Sequence, residues 1–457
     1  MTRFLNTIIA LAAVVWFGIF SAAALPHRVH HGLLHTIKSR SDSNVEPLLV
    51  TVKPYQMGPS GAAALVGTQN VSVYLTGGAL NPQNQAQNLG FMTQHTENRS
   101  TSYYMPSINT PAGVKTAVSA PNLSWNVGPA GLNFTTPGAI NSGRIYIVDG
   151  HLDFVTNADG SITQPDPHNP GDIASKEIWG FVELTQTKGS GNGDDELTVN
   201  LSFVDWVSLP LGMNVTFQGE NGPDVVSVPG LKPDGLKQVC KDLSALDSFW
   251  PKLCLRARDN TPLRVMSPEK YISLHPDDKD ATTYYEPYIS KAWEKYKTVD
   301  LHINTQTSGP NSSVRVDDGQ MVTCRVGQSD DILHCDKEAG DFSRPVSRDI
   351  YGCNSGPFAN PSGTESWSRA RVRPRLCAAF ARSTLHLDGA QPSHGIGPDQ
   401  YYREPITNHY ARAVHGNLVD NMGYAFSYDD VSPSSGANSA GLVSRTHPLR
   451  LDIFINT

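Results

Sequence analysis

Ile178-Trp-Gly-Phe-Val-Glu-Leu-Thr-Gln186 is a β-prone run with one charge, Glu183, and Leu197-Thr-Val-Asn-Leu-Ser-Phe-Val-Asp-Trp-Val207 is a second, again with one charge, Asp205. Aromatic and β-branched residues dominate both, as in half-buried strands. The link between them, Thr187-Lys-Gly-Ser-Gly-Asn-Gly-Asp-Asp-Glu196, has hairpin composition. The two runs are therefore expected as antiparallel neighbours about a turn near Gly191–Asn192. Alternation places Glu183 on one face with Trp179, Phe181 and Thr185. A carboxylate among apolar neighbours is costly unless it is paired, hydrogen-bonded or protonated. On composition alone, two side chains that merely point to solvent remain an equally open reading.

Working outward, residues 45–230 contain further short β-prone runs, among them Val71-Ser-Val-Tyr-Leu75 and Arg144-Ile-Tyr-Ile-Val148, separated by Gly, Pro and Asn clusters. With 39 Gly and 32 Pro in 457 residues, the chain suits many strands and turns, arranged as a sandwich or barrel. After Pro229 the pattern changes. Gly235–Leu246 and Tyr288–Tyr296 have amphipathic helical spacing, the latter with Pro287 near its first turn. Residues 231–407 are expected to form a mixed α/β insert. From Asn408 the β pattern is expected to return, through Gly423-Tyr-Ala-Phe-Ser-Tyr428 and the alternating Leu449-Arg-Leu-Asp-Ile-Phe-Ile455, so that 408–457 completes the barrel begun at 45.

Arg3, the apolar stretch Ile8–Phe20 and the small residues Ser21–Ala24 read as a secretory signal over 1–24. Residues 25–44 read as a leader or short propeptide, whose His27, His30, His31 and His35 have no acidic or Cys partner nearby. The mature protein is expected outside the cell, free or associated with a wall. Cys240, Cys254, Cys324, Cys335, Cys353 and Cys377 all lie in the insert. An even count in an exported chain points to disulfides, with nearest-neighbour pairing expected among fifteen connectivities. Sequons stand at Asn70, Asn98, Asn122, Asn133, Asn200, Asn214 and Asn311; Asn200 falls in a candidate catalytic strand and is set aside, leaving the other six as glycosylation candidates. Beyond residue 40 the balance is 32 basic against 43 acidic residues, a net of −11. That argues against nucleic acid and anionic membrane surfaces and fits a neutral polymer.

The sequence has no G-x-S-x-G elbow, H-E-x-x-H, P-loop or strand-borne G-x-G-x-x-G. Paired carboxylates with separated pKa values are the machinery of glycoside hydrolysis. Asp429-Asp430 is a further acidic candidate, with a strand-end pair bonding turn amides as the competing reading. Trp179, Trp206 and Trp293 have faces suited to a pyranose ring, and core packing is the competing reading. His409 and His415 flank a segment that reads as a short helix or strand, and both read as structural.

Ile178-Trp-Gly-Phe-Val-Glu-Leu-Thr followed by Asn200-Leu-Ser-Phe-Val-Asp-Trp-Val-Ser-Leu-Pro-Leu-Gly resembles the signature of glycoside hydrolase family 64, the thaumatin-like β-1,3-glucanases that include laminaripentaose-producing enzymes. Tyr74-Leu-Thr-Gly, Gly143-Arg-Ile-Tyr, Asp349-Ile-Tyr-Gly-Cys, Cys377-Ala-Ala-Phe-Ala-Arg-Ser-Thr-Leu, Asn408-His-Tyr-Ala and Tyr424-Ala-Phe-Ser-Tyr-Asp-Asp-Val follow in the family's order, so the resemblance covers roughly 45–457. It implies a thaumatin-like β-barrel or sandwich domain, an inserted domain and a wide groove between them. It implies an inverting endo-hydrolase of β-1,3-glucan that releases short oligosaccharides; no cofactor or metal is expected, and the oligomeric state is left open with monomer as the default. Glu183 matches the general acid and Asp205 the general base; Thr185 matches a substrate-contacting threonine, Ser202 more weakly, while Trp179, Asp429 and Asp430 are placed along the substrate cleft. The alternative is a glucan-binding thaumatin-like protein without turnover. A disulfide-stabilised inhibitor or toxin explains the cysteines but not the carboxylates.

Overall fold

A computed structural model of the chain describes residues 45–54, 71–79, 89–95, 101–104, 116–117, 123–157, 162–189, 193–307, 319–360, 363–392, 396–432 and 439–456. The signal and leader segments, the turn at Gly191–Asn192 and the sequons at Asn70, Asn98, Asn122 and Asn311 lie outside the described residues.

Two β-sheets face each other. One has five strands in the order Gly222–Val228, Leu211–Gly219, Pro448–Ile455, Leu49–Lys53, Leu132–Thr135. Its centre joins the first and last described strands in parallel, with Val50 opposite Leu451 and Val52 opposite Ile453. The other sheet has eight strands. Its path runs Val443–Thr446, Asp195–Leu201, Ile178–Lys188, Ile140–Asp149, Val71–Ala79, Leu89–His95, Thr101–Tyr104, and Trp125–Asn126 pairs with Val71–Ala79. Period-two alternation sends Val73, Leu75, Ile145, Ile147, Val182, Leu184, Leu197 and Val199 inward, to meet Val50, Val52, Phe134, Met213 and Phe217 of the five-stranded sheet in one core. Of the two expected architectures the structure is the sandwich: among the described residues neither sheet closes on itself into a barrel.

The hairpin register pairs Lys188 with Asp195 and Glu183 with Asn200, symmetric about 191–192. The strand bearing Asp205 is shorter than expected. It ends at Leu201, and Asp205 sits in a bend before the two-residue strand Trp206–Val207. The cause is a change of partner. Phe203 N–H donates to Tyr424 O and Tyr424 N–H to Leu201 O, so the chain leaves its hairpin neighbour there, and Trp206–Val207 pairs with Val265–Met266 instead.

Beyond residue 230 the structure is mixed. It includes helices Gly235–Ser244, Pro268–Leu274, Glu286–Thr298, Trp367–Ala381 and His409–Asn417, and a four-stranded sheet Leu301–Asn304, Met321–Val326, Ile332–Cys335, Gly340–Ser343. Disulfides join Cys240–Cys254, Cys324–Cys335 and Cys353–Cys377. The segment flanked by His409 and His415, readable from sequence as helix or strand, is a helix. The Asn408 side chain accepts from Ala411 N–H (3.0 Å) and starts a helix in which Tyr410, Ala413, Val414 and Asn417 are buried at helical spacing. Gly423–Tyr428 makes a bridge and turns rather than a strand.

Candidate active site

The outward face of the eight-stranded sheet carries a cross-strand row. Thr76 is opposite Arg144, Arg144 opposite Glu183, and Glu183 opposite Asn200. Below it, Tyr74, Tyr146, Trp179, Phe181 and Trp206 form an aromatic cluster with Leu152, Phe154 and Ala174. Glu183 thus stands at the polar rim of an apolar patch and is only 4% exposed. Arg144 Nη2 and Nε donate to its Oε1 at 2.9 and 3.1 Å, which leaves Oε2 unengaged by the arginine. Burial pushes the Glu183 carboxyl above its ordinary range; Arg144 pulls it back down, and the like charge of Asp205 adds to the rise. Burial also opposes the Arg144 charge, but Glu183, Tyr146 and Asp205 outweigh it and hold the guanidinium ionised.

Gln164 Oε1 accepts from Arg144 Nη1 (2.5 Å) and from Tyr146 OH (2.6 Å), fixing the arginine from its far side. Gln164 belongs to a strap, residues 162–177, that lies over the aromatic cluster: the His168 ring meets Trp206 edge-on at 5.9 Å, and Ala174 O accepts from Trp179 Nε1 at 2.9 Å.

Asp205 is about a third exposed, with Lys270 Nζ 3.4 Å from Oδ1. Three regions hold its backbone. Ser267 N–H donates to Asp205 O (2.9 Å), Tyr410 OH to Phe203 O (2.5 Å), and Phe203 N–H to Tyr424 O (2.7 Å). Burial weakens the Lys270 charge, yet Asp205 and Glu269 raise its pKa overall. The site therefore holds one buried carboxyl whose pKa is raised and, beside it, a more exposed acidic side chain with a cationic neighbour.

The other candidates separate. Thr185 lies at a bulge, where pairing with Ile140–Asp149 jumps from Leu184–Gly143 to Gln186–Ile140, and its Oγ1 accepts from Ser142 N–H (3.3 Å). Ser202 is half-buried and bridged to Tyr424. Trp179 is 1% exposed and hydrogen-bonded inside the cluster, so it presents no ring to a sugar; Trp206 and Trp293 are buried too. Asp429 has no exposure: Arg382, His415 and Ala425 N–H all bind its carboxylate, and the cations hold its pKa low against burial. It is an internal ion-pair member and is corrected as a cleft residue. Asp430 is pushed up to about 6, chiefly by burial, with Arg382 opposing and Asp429 reinforcing. Burial raises the Tyr424 phenol, and the charges of Asp430, Asp429 and Glu183 add to the rise. His415 serves Asp429, and His409 Nε2–H donates to Pro405 O, both structural. Asn133 is exposed, Asn214 half-buried and Asn200 buried. Among the described residues no three His, Cys, Asp or Glu side chains gather to hold a metal, and no helix is long and apolar enough to cross a membrane.

Residues 64–455 match the glycoside hydrolase 64 family, described as β-1,3-glucanase. The chain belongs to that family. Glucan endo-1,3-β-glucosidases of Arthrobacter sp. (strain YCWD3) and Cellulosimicrobium cellulans are 28% and 27% identical over 319 and 318 residues, each covering 69% of this chain and 53% of the relative. The chain matches about half the length of these relatives. As a glycoside hydrolase 64 member it also shares its fold with solved structures. A laminaripentaose-producing β-1,3-glucanase in complex with laminaritetraose superimposes with a TM-score of 0.70 at 23% identity, over 90% of this chain and 98% of the other. A glycoside hydrolase 64 β-1,3-glucanase domain from Clostridium beijerinckii gives 0.63 at 17%, over 90% and 99%.

Sequence reasoning missed Arg144, Gln164 and Lys270. Arg144 had a signal, being the lone charge at the head of an apolar strand, as Glu183 is in its own.

Proposed function

We propose that this protein is an endo-acting β-1,3-glucan hydrolase that works with inversion through Glu183 and Asp205. The observation that carries the reading is the contrast between two neighbouring carboxyls: Glu183 buried with its pKa raised, Asp205 more exposed beside Lys270. Glu183 donates its proton, from the oxygen Arg144 leaves free, to the departing glycosidic oxygen. Asp205 takes a proton from water attacking the opposite sugar face. An inverting pair needs the carboxyls about 6.5–9.5 Å apart to admit that water. Afterwards Glu183 is ionised and Asp205 protonated, and one proton exchange with solvent at each resets the site. Thr185 and Ser202 flank Glu183 and Asp205 as sugar contacts, and Asp430 lines the same flank. The thaumatin-like description with an inserted domain and groove, export through the 1–24 signal, glycans at sites such as Asn133 and action as a monomer belong to the same proposal.

The test is product analysis on linear β-1,3-glucan, with Glu183→Gln as control. Short oligosaccharides released as α-anomers, with turnover falling about 10³-fold or more in the control, are expected. Retention on the polymer without products would make the protein a binder and remove the catalytic assignment.

A further inference from the structure

Each polar side chain on the outward row around Glu183 is committed to a neighbour, with one exception. Thr76 bonds Tyr146, Arg144 bonds Glu183 and Gln164, Thr185 accepts from Ser142 N–H, and Thr198 Oγ1 meets Ser444 Oγ at 2.7 Å. The exception is Asn200. It is 5% exposed, and its Oδ1 is buried without a hydrogen-bond partner among the described residues. Nothing in the strand calls for an amide there. Leu197, Val199 and Leu201 fill the inward face, and a β-branched or apolar residue would sit on the outward face at lower cost. Asn200 is also the direct cross-strand partner of Glu183, which places their Cβ atoms about 5 Å apart.

We propose that Asn200 is a substrate-contacting residue whose amide hydrogen-bonds a hydroxyl of the glucosyl unit at the scissile bond. An amide offers a donor and an acceptor side by side, and a sugar hydroxyl is both. Because Asn200 sits across from Glu183, the hydroxyl it meets belongs to the unit whose glycosidic oxygen Glu183 protonates. A contact made there strengthens as charge develops on that ring, so its loss falls on kcat more than on KM. This inference rests on the hydrolase reading above.

Asn200→Leu is the informative variant, because it keeps the size of the side chain and removes the unpartnered atom. The expected result is a Tm at or above that of the unaltered protein, with kcat/KM on linear β-1,3-glucan down about 10- to 100-fold, mostly in kcat. Unchanged turnover in Asn200→Leu overturns the inference, as does a loss explained by a lowered Tm and reversed by working at lower temperature. Binding separates this failure from failure of the hydrolase reading. In a Glu183→Gln background, Asn200→Leu should weaken capture of laminari-oligosaccharides several-fold. Weaker capture with no hydrolysis by the unaltered protein would keep the contact and discard the enzyme; equal capture would discard the contact.

Discussion

Arg144 sets a conflict at the scale of single residues. A general acid benefits from a raised pKa, yet the nearest charge to Glu183 is a cation that lowers it. Burial wins in the net direction, so the arginine's use lies in geometry: two bonds to one oxygen fix the plane of the carboxyl and leave the other oxygen for the proton. Arg144→Met should therefore do two separable things. Glu183 loses its counter-ion and its pKa rises further, so the alkaline limb of kcat/KM moves upward, since the acid form persists to higher pH. The plateau rate falls about 10- to 100-fold as the carboxyl loses its orientation. A pH–rate profile checks both, and an unmoved limb would mean that Arg144 does not act on the acid. Glu183 was legible in the sequence because an isolated charge in an apolar strand demands an account. Its partners were less so. Lys270 comes from a helix far along the chain, where a lysine after a Ser-Pro start carries no signal. Asp429 and Asp430 look alike in sequence and differ only through what folds around them, two cations for the first and burial that wins over Arg382 for the second.

At the scale of elements the strap over 162–177 decides how firmly the site is held. Arg264, fully buried in the strand Pro262–Met266, donates through Nη2 to Ala174 O, Ser175 O and Glu177 O at 2.9, 3.1 and 2.7 Å. It pins the strap's end to the segment that pairs with Trp206–Val207, next to Asp205. Arg264→Met would leave three carbonyls without that donor. The expected cost is about 2–4 kcal/mol in urea unfolding, with a fall in kcat because Gln164 no longer holds Arg144 in place. Stability within about 0.5 kcal/mol of the unaltered protein would show that the strap is held by other contacts. Such a clamp is invisible in sequence, since Arg264 is one charge among many there. The hairpin, by contrast, was legible with its turn near 191–192, because apolar alternation and a Gly-rich link point to the same pairing, although Glu183 faces Asn200 and Asp205 lies beyond the strand's end. The segment that forms the helix His409–Asn417 reads from its sequence as either helix or strand: its apolar residues are few, and Asn408, whose cap decides the matter, also suits a turn. Gly143, within a family motif, has its reason in the bulge beside Thr185: a Cβ there would come 2.5 Å from Ile140 Cγ2 and 3.1 Å from Leu184 Cδ2.

For the whole molecule the composition shift near residue 230 suggests separable units, a β domain and a disulfide-bearing insert. The packing argues otherwise. One continuous core runs from Val50, Val182 and Met213 in the sandwich through Leu231, Val239 and Trp250 to Tyr288, Val322 and Phe380. The backbone around Asp205 is shared as well, through Ser267, Tyr410 and Tyr424. Separate melting would expose a large apolar face on each part, and the cost of that exposure couples them. Calorimetry is therefore expected to show one transition whose van't Hoff and calorimetric enthalpies agree. Replacing Cys353 and Cys377 together by Ala removes a link closing 24 residues between the Ser347–Gly352 and Trp367–Ala381 helices. That costs about 3 kcal/mol by chain entropy and should lower the single midpoint by a few degrees without splitting it. Two resolved transitions in that variant, with the sandwich melting at the unaltered temperature, would show that the shared core does not couple the halves; glucan turnover would then depend on an interface that opens on its own.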